Sequence, residues 1–81
     1  NNAAALPRRL RTWCPTASAD DTVLLCAHNG TQASLLKHLA LRATPSDRAL
    51  VVVDINGEEL NLVQAWSCPE DESTWRILHP S

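Results

Sequence analysis

Asp21-Thr22-Val23-Leu24-Leu25-Cys26-Ala27-His28, closed by Asn29-Gly30, decides how the whole chain is read. Val23, Leu25 and Ala27 alternate with their neighbours at the period of two that belongs to a strand. Upstream, Arg9 to Cys14 alternates Leu10, Thr12 and Cys14 against Arg11 and Trp13, and Pro15 stops the run. With only the small polar loop Thr16 to Asp20 between them, the two runs are expected to pair as a hairpin. Asn1 to Leu6 reads as a frayed tail closed by Pro7.

Downstream the period changes. Gly30-Thr31 opens a helix, with the Thr31 hydroxyl placed to cap free backbone N–H groups. Gln32 to Ala43 is built mostly from good helix formers. Leu35, Leu36, Leu39 and Ala43 make an apolar stripe, with Lys37 and Arg42 pointing away from it. Pro45 denies Thr44 helical geometry and ends the element. Ala49 to Ile55 is β-branched and apolar, a strand expected to be buried on both sides. Asn56-Gly57 then demands a hairpin, because both central residues of a type I′ turn need positive φ. Glu58 to Val63 is the return strand, Gln64 to Thr74 a long connection with room for a helical turn, and Trp75 to His79 a closing strand.

The order is ββαβββ-like, which predicts an α+β fold of the β-grasp kind. In it a mixed sheet of four to five strands packs on one main helix. Residues 1–8 form a flexible tail and residues 9–81 a single domain.

Composition narrows the function. Hydrophobic residues are 44% and charged residues 20% of the 81, a globular balance that excludes disorder. A formal net charge of −2 gives the molecule no general attraction to nucleic acid. The longest apolar run, Ala49 to Val53, is too short to span a bilayer. Met is absent even from position 1, so the chain reads as an excised domain or processed piece. Cys14, Cys26 and Cys68 are an odd set without metal spacing, which favours free thiols in a reducing cytosol over a disulfide framework.

The residue pattern resembles the Ras-binding and Ras-association family, which shares the ubiquitin superfold. Leu10, Arg11, Trp13 and Pro15 are similar to its aliphatic-Arg-x-aromatic-x-Pro first strand. Thr22-Val23 resembles the head of its second strand, and Leu35, Lys37 and Arg42 its helix pattern. Leu62-Val63-Gln64, Trp66, Glu70-Asp71-Glu72 and Trp75-Arg76-Ile77-Leu78 resemble the tail of the association-domain type.

The resemblance implies a non-catalytic interaction module of a signalling protein, without cofactor or metal. Its partner would be a GTP-loaded small GTPase of the Ras or Rap type. The partner's switch I strand would pair with an edge formed by Asp21, Thr22, Val23 and Leu24. Arg11, Lys37 and Arg42 would bind acidic switch residues, and His38 beside Lys37 would make binding pH-sensitive. Asp20 and Asp21 would weaken the pairing by roughly 1 kcal/mol in partly screened solvent. The expected context is a monomeric cytoplasmic domain of a larger protein, brought to membranes through the GTPase. The alternative is a ubiquitin-like adaptor that packs on other domains of its parent and exposes an apolar patch around Trp66 and Trp75.

Other chemistries find less support. Cys26 and His28 share a strand face, but no third ligand or orienting carboxylate accompanies them. The Cys14-Pro15 and Cys68-Pro69 dipeptides resemble haem-regulatory motifs, yet read more simply as a strand stop and a loop start. Asn29-Gly30-Thr31 matches a glycosylation acceptor and reads better as a turn and helix cap. Only two glycines are present, both in Asn-Gly turns, so there is no phosphate-cradling loop.

Overall fold

The computed structural model describes residues 3–27, 29–44 and 46–81. The expectations for His28 and Pro45 fall outside them. The chain forms α1 (Leu6–Trp13), α2 (Asn29–His38), β1 (Arg48–Asn56), β2 (Glu59–Cys68) and β3 (Arg76–Leu78). The strands make one antiparallel sheet in the order β1-β2-β3.

This corrects the expected four-to-five-stranded β-grasp sheet on a main helix. The sheet has three strands, and neither helix lies close along it among the described residues. The first missing strand, Arg9 to Cys14, is helical. Pro7 in the first turn has its φ preset for a helix and no N–H to lose. Leu6 and Leu10, four apart, fall on one stripe, and Arg and Leu are good helix formers. The alternation of Leu10, Thr12 and Cys14 was compatible with both periods. Ala3, Leu6 and Pro7, expected in a tail, are buried. The Cys14 N–H closes the helix on the Leu10 carbonyl at 2.8 Å. The second missing strand, 21–27, has no regular structure, because its intended partner has become α1.

α2 begins at Asn29 and stops well before Ala43. Ala40 has φ 57°, the Leu41 N–H donates to the Leu36 carbonyl at 2.8 Å, and the Ala40 N–H donates to the Lys37 carbonyl at 3.1 Å. That pair of bonds around a left-handed residue is a Schellman cap, and Leu41 behind it is buried.

A two-residue hairpin forms here, but one residue later than expected. Asn56 pairs with Glu59 as strand, and Gly57 and Glu58 are the central residues. Gly57 alone has positive φ, at 63°, so the expected type I′ turn over Asn56-Gly57 is replaced by one with Gly at its first central position. β2 continues to Cys68, so the first part of the expected connection, Gln64 to Cys68, is strand. Val52 faces Gln64 and Val53 faces Leu62, which leaves Val63 as the extra residue of a bulge. Trp75 to His79 contains β3. The sheet has a covered face, with Val51, Ala65 and Leu78 in one row, and an open face, with Leu50, Trp66 and Ile77 in another. β1 therefore does not have both faces buried.

The interior is small. Among the described residues, Ala3, Leu6, Pro7, Leu41, Ala65, Ser67 and Cys68 are buried. The surface of 6030 Å² exceeds by about 1200 Å² the ~4800 Å² of a compact monomer of this mass. The radius of gyration of 12.9 Å likewise exceeds the ~11.7 Å of a compact chain this long.

Candidate functional site: the outer edge of β1

A cleft of about 1200 Å³ runs along β1. Residues from Ala49 to Gly57 form one wall, and α1, residues 17–27 and the first part of α2 form the other. Leu10, Val23, Leu25, Leu35, Val51 and Val53 make it largely apolar. β1 has a neighbour on one side only, and among the described residues no backbone hydrogen bond joins 17–27 to it. Its outer row of N–H and C=O groups is thus free to pair with another strand, while Leu50 and Val52 stand exposed beside it.

The sequence-expected site residues are dispersed about this cleft. Arg11 lies at its hairpin end, where Nη2 donates to the Gly57 carbonyl at 2.6 Å. Nearby, Arg8 Nε and Glu58 Oε1 are 3.7 Å apart, both highly exposed and worth little in stability. Asp21 braces its own loop: the Ser18 N–H donates to Asp21 Oδ2 at 2.8 Å, and the Asp21 N–H donates to the Ser18 carbonyl at 3.1 Å. Thr22, Val23 and Leu24 are exposed and unstructured along the far wall. The Gln32 side chain donates to the Ala27 carbonyl at 3.0 Å, tying the segment's end to α2.

Lys37 and Arg42 line a different cleft of about 790 Å³, together with Asp47, Ala49 and Ser81. His38 is exposed at the end of α2. From Ala49 to Asn56 the strand runs about 23 Å, at a rise near 3.3 Å per residue. Arg11 and the Lys37–Arg42 pair thus sit at opposite ends of β1 and form no single basic face. The edge expected at Asp21 to Leu24 is not a strand.

The best-connected charged residue is one that the pattern did not single out. Arg48 Nη2 donates to Cys68 Sγ at 3.0 Å, to the Pro69 carbonyl at 3.2 Å and to the Glu72 carbonyl. Its guanidinium also lies 5.8 Å from the Trp75 ring centre. It pins the loop between β2 and β3, with Arg76 Nη2 bonded to Glu72 Oε2 at 2.9 Å alongside. The signal available in the sequence was only a cation heading an apolar strand.

Cys68 is fully buried and cannot act on an outside substrate, and all three cysteines are free. Among the described residues no cluster of His, Cys, Asp or Glu has metal-holding geometry, and no helix is long and apolar enough to cross a membrane. The chain matches no protein-family model, no curated protein and no solved structure.

Proposed function

We propose that this chain is a non-catalytic protein-interaction module that takes up an extended segment of a partner along the outer edge of β1. The observation that carries the reading is a nine-residue edge strand whose outer side borders an apolar cleft. Backbone pairing would supply register, and the side chains of the cleft would supply choice of partner. At about 1200 Å³ the cleft exceeds the ~300–1000 Å³ usual for small-molecule sites and suits a peptide segment better.

A GTP-loaded small GTPase of the Ras or Rap type, the partner implied by the family resemblance, offers such a segment in its switch I strand. Asp47, Asp54, Glu58 and Glu59 surround β1, so an acidic switch strand would meet like charge and pair weakly. Calorimetric titration of the chain with Ras and Rap, each loaded with a GTP analogue or with GDP, tests the reading. The expected result is saturable binding to the GTP form, with slowed hydrogen exchange at alternate β1 amides. Equal binding in both states would remove the GTPase. Binding that leaves β1 exchange unchanged would refute the edge as the site.

A further inference from the structure

The open face of the sheet shares Leu50 and Val52 with the β1 cleft and extends from them across β2 and β3. Cross-strand partners share a face, so Leu50, Trp66 and Ile77 form one apolar row across all three strands. Val52 and Gln64 form the next row, and Trp75 extends the patch beside Arg48. Leu50 is 47% exposed, Val52 40%, Ile77 54% and Trp75 45%. A monomer rarely leaves so many large apolar side chains together in water, and such a patch marks an interface.

We infer that this face packs against the same face of a second copy of the chain. Two observations favour a copy over an unrelated protein. The first is charge. Arg48 and Asp54 project from the same face of β1, each three residues from Val51. A twofold axis crossing the strands at Val51 sets each Arg48 above the partner's Asp54, so both ends of the interface join opposite charges and its centre stays apolar. Asp54 has no ion-pair partner among the described residues. Arg48 spends Nη2 on the loop carbonyls, and its charge stays on this face.

The second observation is area. A stable interface takes roughly 800 Å² from each partner, and the chain as a whole exposes about 1200 Å² more than a compact monomer of its mass, an excess of the kind that association removes. Aligned sheets about 10 Å apart would enclose Trp66 and Ile77 in the core of a sandwich.

Sedimentation velocity across a 5–500 µM concentration series, with tryptophan emission read in parallel, tests the inference. The expected result is a monomer–dimer equilibrium whose emission shifts to the blue as Trp75 leaves water. Leu50→Lys and Ile77→Lys, both at exposed positions, should raise the dimer dissociation constant at least tenfold while far-ultraviolet circular dichroism stays unchanged. Asp54→Lys should weaken the dimer by a similar factor. A wild-type chain that remains monomeric throughout would overturn the inference, leaving the face for a neighbouring domain of a parent protein. A dimer insensitive to both lysine variants would overturn it as well. Ile77 lies on β3, outside the cleft that Leu50 and Asp54 also line, so its variant separates this face from the β1 edge, whose own test is amide exchange on titration with the GTPase.

Discussion

Ala40→Gly should make the protein more stable, although it removes a methyl group and adds a glycine. Ala40 occupies the left-handed position of the Schellman cap at φ 57°, where its Cβ crowds the following carbonyl. That conformation costs an L-residue about 1–2 kcal/mol, and glycine escapes the cost. Against this, glycine loses about 0.5–1 kcal/mol more conformational entropy on folding. The side chain is exposed, so little packing is lost. The cap's two backbone bonds, and the bonds from Ser81 N–H and Oγ to the Ala40 carbonyl, do not involve the methyl group. The net gain is about 0.5–1 kcal/mol. In a domain of this size that raises the melting temperature by roughly 2–8 °C. Urea unfolding followed by tryptophan fluorescence, with a thermal scan by circular dichroism, measures it. A midpoint equal to or below wild type, with an unchanged slope, would refute the cap argument.

Three further outcomes follow from the same geometry. Gly57→Ala should destabilise the hairpin by about 1 kcal/mol or more, because φ 63° strains any L side chain even though open space surrounds the site; the urea midpoint reads it. Arg48→Ala should cost about 1–3 kcal/mol through the lost carbonyl bonds and ring contact, and should speed proteolysis within residues 69–75; an unchanged digestion pattern would mean that Arg48 does not hold the loop. In thiol titration of the native protein, exposed Cys26 should react first and buried Cys68 only on unfolding; rapid reaction of all three would refute the packing around Cys68.

Where backbone stereochemistry alone fixes a conformation, the sequence was sufficient. Gly57 specified the hairpin because positive φ is a property of a single residue and needs no distant partner, while the turn's central pair, Gly57-Glu58 and not Asn56-Gly57, followed from the strand register. The closing strand around Ile77 and the helix through Leu35 and Leu36 were legible for a related reason, since their periodicity and length favoured a single element. The cap at Ala40 was hidden because no glycine advertises it. Leu50 and Val52 gave no sign of exposure, because an unbroken apolar run looks the same on a buried strand and on an open one.

The N-terminal third depended on tertiary structure. Arg9 to Cys14 carries an alternation, yet Leu6 and Leu10 also satisfy a helical stripe, and burial of Ala3, Leu6 and Pro7 favoured the helix. Once that choice is made, Thr22 to Ala27 keeps its strand pattern but has no strand to pair with. Pairing is a property of two segments, and one segment's sequence cannot supply the second. For the same reason only the three-dimensional arrangement could decide that β1 is an edge, that Arg11 sits far from Lys37 and Arg42, and that Leu50, Trp66 and Ile77 share one open face.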